Sequence, residues 1–317
     1  MKVLVTAKSF GVLSEHDFDD FKAHGYEIKA NPQPGVEPSP ALLKELISDV
    51  DGIAVGNEKI DKSVFEAAKN LKVIAKFGVG VDNIDLEEAR KRGVKVTNVR
   101  GANAISVAEH AFGLMLDISK LITSTNRKLL KGNWKTEHGC DVYGKTLGII
   151  GFGKIGQEMA KRAIAFGMTV IAYDEYPNQA AADAFGVKFV SLDELTRKSD
   201  YISLHCPKTA ENANLFNVKR LAMMKEGSYL INAARGGLVD EEALYDALES
   251  GHLAGAAMDV LAVEPMEKRS KLLDCVNFVL TPHCAGVSKD AVAKVAKIVS
   301  QNIVDVLEGN ECPNIVK

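Results

Sequence analysis

TLGIIGFGKIGQEMAKRAIAFGMTVIAYD, residues 146–174, joins two apolar runs through a glycine turn and a segment of helical period. The first run is Leu147–Ile150; Gly151, Gly153 and Gly156 follow; the second run closes on Asp174. Apolar runs this short, separated by glycines and by a helix-period stretch, read as strand, turn, helix and strand. Each glycine has a separate mechanical task. Gly151 makes the tight turn, Gly153 lets the backbone approach an anion, and Gly156 lets the helix lie close against the strand.

The amide groups at the helix start, around Lys154 and Ile155, face whatever anion lies over the turn, which suits a pyrophosphate. Asp174 stands 18 residues beyond Gly156, at the end of the second strand, where a carboxylate accepts from the ribose hydroxyls of a dinucleotide. It would repel a 2′-phosphate, and Glu175, Tyr176 and Pro177 supply no cation to welcome one. The unit therefore predicts NAD in preference to NADP.

Outward from this unit the same alternation continues through VKFV, YISLHC, SYLINAA, LAGAAMDV and NFVLTPH, so residues 146–284 predict a complete doubly wound parallel domain. Residues 1–100 alternate likewise through KVLVTA, YEIKA, GIAVG, LKVIAKF and VKVTNV. Ser14, Ser39, Asp61 and Asp85 are helix-start signals there, and Gly25 and Gly93 helix stops. The proline-rich segment 31–40 predicts a surface loop. From Asn103 to about Leu130 the spacing predicts one long helix with a buried stripe of Val107, Ala111, Leu114, Met115, Ile118, Leu121 and Ile122. A last helical pattern, Ser288–Glu308, has no strand after it, and we expect it to cross back and close the first domain. The expected α/β architecture is thus two doubly wound parallel-sheet domains, 1–101 with 285–317, and 102–284.

With 317 residues the chain exceeds one hydrophobic core, in keeping with two domains. A net charge of −3 gives no general attraction to nucleic acid or an anionic membrane. Five scattered cysteines, 140, 206, 275, 284 and 312, show no CxxC spacing and fit reduced thiols. No leader pattern or bilayer-length apolar run is read, so a cytoplasmic setting is expected.

Ligands of doubly wound sheets bind beyond the carboxyl ends of the strands. The ends that stand out are Lys76–Asn83, His205–Thr209, Arg235–Gly237 and His283, with Glu264 following a fifth. A histidine titrates nearest neutral pH and suits proton transfer to an alcohol or ketone. His16, His24, His110, His138 and His252 fall in helix or turn contexts and read as surface or core residues. His205 and His283 both sit at strand ends; a histidine that merely finishes a strand is as common, and position alone does not choose between them.

Six stretches in combination, KFGVGVDNID (76–85), SVAEH (106–110), GIIGFGKIG (148–156), NAARGGLVD (232–240), MDVLAVEP (258–265) and TPHCAG (281–286), make the chain resemble the D-isomer-specific 2-hydroxyacid dehydrogenases. The similarity runs through essentially the whole sequence and implies a Rossmann-type NAD domain with a flavodoxin-like substrate domain. It maps the family's catalytic trio onto Arg235, Glu264 and His283, and leaves His205 on the cofactor side with Cys206, Pro207, Thr209, Ala233 and Gly286. It implies that Asp259 faces the nicotinamide and that Val79 and Gly80 offer amides to a substrate carboxylate. These roles agree with the chemistry. Arg235 keeps its charge and presents a planar fork to a carboxylate and carbonyl. His283 shuttles a proton, and Glu264 bonded to it would fix the ring and favour imidazolium.

The chain departs from the commonest family pattern at Lys76 and at Val99–Arg100. Within the family it lies nearest the phosphoglycerate dehydrogenases and the glyoxylate or hydroxypyruvate reductases. Oxidising 3-phosphoglycerate needs cations for the phosphate, and Lys76, Arg100 and a partner's Lys135 are the candidates; solvated surface charges are the plainer reading of any one of them, but two cations flanking the KFGVGVDN loop make 3-phosphoglycerate the expected substrate, with hydroxypyruvate or glyoxylate reduction as the alternative. The sequence stops at Lys317, and we expect no appended regulatory domain. The apolar stripe and Trp134, in the polar arm KGNWKTEH (131–138), predict a homodimer. The C-terminal-binding corepressors share this scaffold as NAD-sensing binding proteins, but no extended disordered tail supports that alternative here.

Overall fold

The computed structural model describes residues 1–33 and 35–316, so Pro34 of the proline-rich segment 31–40 and Lys317 lie outside the described residues. The chain divides into two compact units, Met1–Asn103 with Gly286–Lys317, and Ala104–Ala285.

The first unit holds β1 (Lys2–Val5), β2 (Glu27–Ala30), β3 (Gly52–Val55), β4 (Val73–Lys76) and β5 (Lys95–Thr97), in the order β2-β1-β3-β4-β5. Every pairing is parallel. Helices cover both faces of a parallel sheet, so its inner strands are continuous apolar runs; all four residues of β3 are buried. The edge strand β2 carries Glu27 and Lys29 and stays partly exposed. The opposite edge, β5, is not left open: Val316 donates its amide to Val96 (2.8 Å), and Asn98 donates to Asn314 (3.2 Å).

Helix Lys289–Glu308 closes this unit. The Ser288 hydroxyl accepts from the Ala291 amide, and Gly309, at φ 75°, ends the helix in the left-handed region. Val295, Ala296, Val299, Ile303 and Val304 pack with Val3, Val5, Ala54, Val73 and Ala75 of the sheet. Each fully buried valine or isoleucine contributes about 1.5–3 kcal/mol of transfer free energy. Buried Asn302, at 2% exposure, donates to the Asn98 carbonyl (3.3 Å) and accepts from Asn314 (2.8 Å), tying helix, β5 and tail together.

The second unit holds β6 (Thr146–Ile150), β7 (Thr169–Tyr173), β8 (Lys188–Phe189), β9 (Tyr201–Leu204), β10 (Ser228–Asn232), β11 (Leu253–Met258) and β12 (Phe278–Leu280). Their order is β12-β11-β10-β9-β6-β7-β8, again all parallel. The direction of winding reverses between β6 and β9, where a doubly wound sheet opens its ligand crevice.

The predicted long helix is two helices, Ala104–Lys120 and Ile122–Leu130. Leu121 breaks it, with φ 58° in the left-handed region. Asp117 makes the break favourable: its carboxylate accepts from the Thr123 amide (2.7 Å) and hydroxyl (2.6 Å), starting the second helix afresh. The first helix buries Val107, Ala111, Leu114, Met115 and Ile118 in the core of the second unit. No residue of the second helix is fully buried, and Ile122, Leu130 and, just beyond it, Trp134 are exposed.

Candidate active site

β6 ends at Ile150, and the chain then turns through Gly151 at φ 93°. A Cβ there would lie 2.6 Å from the Cys206 amide nitrogen, so only glycine fits. At Gly156 a Cβ would come within 2.2 Å of the Gly151 carbonyl oxygen; at Gly153 it would meet no protein atom within 4 Å. Two of the glycines are thus required by the protein's own packing, whereas the space over Gly153 is open. Helix Lys154–Ala165 begins with Gly153 as a cap that has no side chain to accept from its first amides. Amides left unpaired at a helix start, beneath open space, are a cradle for an anionic pyrophosphate. Asp174 accepts from the Phe152 (2.6 Å) and Tyr176 (2.9 Å) amides. Those bonds hold it at the end of β7 with lone pairs remaining for ribose hydroxyls.

His205 follows β9, and its amide donates to the Ile150 carbonyl (2.7 Å). Its Nε2 meets the Ser203 hydroxyl at 2.9 Å, while Nδ1 is shut from solvent without a partner. Part of the residue's surface is open, but burial of the ring pushes its pKa down to about 4. It is neutral at physiological pH and is a poor proton donor. Burial likewise pushes the Cys206 thiol up to about 11. Pro207 and Thr209 are exposed and joined through Asn212, which donates to the Pro207 carbonyl (2.8 Å) and accepts from the Thr209 amide (2.7 Å).

After β10 the chain turns through Ala233, Ala234 and Arg235. Asn232, fully buried, accepts from the Ala234 amide (3.0 Å) and donates to the Arg235 carbonyl (2.9 Å), which sets the turn. Gly236 is obligatory, because a Cβ there would fall 1.7 Å from the Leu261 carbonyl oxygen. The turn after β10 is thereby pressed against the turn after β11.

That second turn carries Glu264, whose Oε1 accepts from the Leu261 amide (2.7 Å) and whose Oε2 lies 2.6 Å from His283 Nδ1. Burial alone would raise the Glu264 carboxyl. The His283 bond, the Leu261 amide and the charge of Arg235 outweigh it and hold the carboxyl below the usual range. Glu264 is therefore ionised, and its grip on Nδ1 leaves Nε2 as the ring nitrogen directed to other chemistry. His283 itself sits at φ 52°, a conformation that a histidine holds only when its surroundings impose it.

The surroundings are centred on Asp259, which is 1% exposed. Its Oδ1 accepts from the Thr281 hydroxyl (2.5 Å) and Cys284 amide (2.9 Å), and its Oδ2 from the Ala285 amide (2.8 Å). Its own carbonyl accepts from the His283 amide (2.7 Å). His110 joins the network through Nε2, 2.9 Å from the Thr281 hydroxyl. Sequence reading set His110 aside and gave Thr281 no role. The available signal was that SVAEH and TPHCAG each carry polar residues beside apolar runs.

Structure thus brings Arg235, Asp259, Glu264 and His283 onto adjoining turns of one sheet edge, with the glycine loop, His205 and Ala233 on the same unit. Gly286 begins the return into the first unit. In that unit Val79 and Gly80 follow β4, and Val79 offers its carbonyl to Asn98 Nδ2 (2.8 Å). Lys76, the cation expected to meet a phosphate, ends β4. It is 5% exposed, and its ammonium donates to the Gly56 carbonyl and to Asn57 Oδ1 (3.0 Å). Beside it lies the buried carboxyl of Glu58, raised by desolvation. Arg100 and Lys135 are both exposed.

A family model for the NAD binding domain of D-isomer specific 2-hydroxyacid dehydrogenases matches residues 112–285. The whole chain is 40% identical over 319 residues to a D-3-phosphoglycerate dehydrogenase of Archaeoglobus fulgidus, covering 59% of that protein. It is 46% identical over 258 residues to a hydroxypyruvate reductase of Thermotoga maritima, covering 80% of this chain and 83% of the relative. Among solved structures, the D-lactate dehydrogenase of Aquifex aeolicus complexed with NAD and lactic acid superposes with a TM-score of 0.86 at 28% identity, covering 100% of this chain and 99% of that one.

The loop geometry separates two substitutions. Gly153→Ala should leave the melting temperature unchanged and weaken NADH binding by about tenfold or more, a loss of ~1.4 kcal/mol. Gly151→Ala should lower the melting temperature as well. Thermal melts with NADH fluorescence titration check both; a Gly153→Ala protein that binds normally would remove the cradle.

Proposed function

Given that the chain belongs to the D-isomer-specific 2-hydroxyacid dehydrogenase family, we propose that it interconverts a small 2-oxo acid and its D-2-hydroxy acid, with Arg235, Glu264 and His283 as the reacting machinery. The bond between His283 Nδ1 and Glu264 Oε2 at 2.6 Å carries this reading. The glycine loop would hold the pyrophosphate of an NAD, whose nicotinamide would supply or take the hydride. In the reducing direction the Arg235 guanidinium holds the carboxylate and polarises the carbonyl. His283, oriented by Glu264, gives its Nε2 proton to the carbonyl oxygen that becomes the hydroxyl. The neutralised ring then takes a proton from solvent, which balances the turnover.

Among family substrates, the geometry best supports an unphosphorylated one such as hydroxypyruvate or glyoxylate. Lys76, one of three sequence candidates for a phosphate cation, is buried on backbone and amide oxygens beside Glu58. The phosphoglycerate reading keeps the support of relatives that carry that name, of which this chain spans about half to three fifths of the length. Comparing kcat/KM for 3-phosphohydroxypyruvate, hydroxypyruvate, glyoxylate and pyruvate with NADH at one ionic strength decides between them. A preference for the phosphorylated acid would overturn ours.

His283→Ala and Arg235→Lys should each lower kcat/KM by roughly 10² or more, the range of general acid–base catalysis and of a lost bidentate fork. Glu264→Gln should move the pH profile of reduction, because the ionised carboxylate bonded to His283 Nδ1 is gone. A pH profile that does not move would take Glu264 out of the mechanism.

A homodimer is part of the proposal. Helix Ile122–Leu130 and Trp134 expose apolar surface that nothing among the described residues buries. Light scattering at micromolar concentration should report twice the chain mass; a monomer ends the idea.

A further inference from the structure

His110, Asp259 and Cys284 place an imidazole nitrogen, a carboxylate oxygen and a sulfur within 4.8 Å of one another. We propose that these three side chains form a binding site for a borderline-soft divalent cation of the zinc class, and that its occupancy switches off turnover. Three observations converge. The donor set is one nitrogen, one oxygen and one sulfur, the mixture that zinc and cobalt take in four-coordinate sites with an open position. The charge balances: a carboxylate and a thiolate supply the two negative charges that a buried divalent ion needs. The carboxylate is also already oriented by the Cys284 and Ala285 amides, as the ligands of built metal sites are.

Hydrogen bonds draw two of the three donors together. The Thr281 hydroxyl bridges His110 Nε2 (2.9 Å) and Asp259 Oδ1 (2.5 Å), and His110 Nε2 stands 3.6 Å from that same oxygen. The Cys284 thiol is held protonated by burial and by the neighbouring Asp259 charge. Binding releases the thiol proton to solvent, moves the imidazole proton of His110 from Nε2 to Nδ1, forms the metal–sulfur, metal–nitrogen and metal–oxygen bonds, and leaves the fourth position to water or to Thr281. No electron is transferred. His110 and Cys284 are each partly exposed and give the ion an entry.

The consequence for turnover follows from chain order. Thr281 and Cys284 flank His283, and Asp259 anchors both. A cation drawing Asp259 and Cys284 onto itself pulls on the segment that holds His283 at φ 52° against Glu264. This inhibitory half rests on the proposed role of His283; the metal site does not.

The test starts from the full-length, metal-free protein titrated with Co²⁺. A thiolate-to-cobalt charge-transfer band should grow and saturate at a single equivalent. Cys284→Ser should abolish the band, Cys140→Ser should leave it, and His110→Ala should weaken Co²⁺ binding by about tenfold or more, with circular dichroism verifying that each variant folds. The absence of a band in the unaltered protein, or its survival in Cys284→Ser, overturns the site; if Cys284→Ser does not fold, unaltered affinity in His110→Ala does the same. NADH turnover with a 2-oxo acid should fall as Zn²⁺ is added and recover with EDTA, and Cys284→Ser should be insensitive. A cobalt band with zinc-insensitive turnover overturns the inhibitory half. If no 2-oxo acid is turned over at all, the functional reading fails while the cobalt band still judges the site.

Discussion

One buried carboxylate organises the chemistry of this protein. Asp259 lies at the end of β11, almost fully removed from solvent, and spends both oxygens on the residues that precede and follow His283. A carboxylate in such a place is tolerable only because several donors meet it. The same donors are what place a histidine in the left-handed region, facing Glu264. Binding energy of the fold is thus converted locally into orientation of one ring, which is the kind of preorganisation that proton transfer needs.

A second constraint acts at the level of backbone contact. Gly236 lets the turn after β10 press on the Leu261 carbonyl, and Gly151 lets the glycine loop press on the His205–Cys206 backbone. Neighbouring strand ends in the second unit are therefore spaced by peptide thickness and not by side chains. The charge of Arg235 acts on Glu264 because of that spacing, and it helps to keep Glu264 ionised against the cost of burial.

Much of this was legible in the sequence for identifiable reasons. Apolar runs gave the parallel strands, since strands covered on both faces must be apolar. Ser39, Asp61, Asp85 and Ser288 cap helices where short polar side chains preceded apolar periodicity. The break at Leu121 was hidden because both helices are amphipathic and no Gly or Pro marks the join; the deciding group, Asp117, acts through its side chain six residues ahead. Burial of Lys76 was hidden because a lysine at a strand end has the same letter whether its ammonium meets solvent or the carbonyl of Gly56. The linkage of His110, Thr281 and Asp259 joins residues 171 positions apart, which no local pattern reveals.

The return of helix Lys289–Glu308 to the first unit bears on how the protein is made. The apolar face formed by Val3, Val5, Ala54, Val73 and Ala75 receives Val295, Val299 and Ile303 from a helix at the far end of the chain. At the ribosome, which adds about 5–20 residues each second, that partner arrives on the order of 10–40 s after the sheet it covers has emerged. The intervening unit carries its own core and can finish folding within that interval. The nascent chain thus holds an uncovered apolar sheet beside a completed domain, and general chaperones that bind exposed apolar surface have their opportunity in that window.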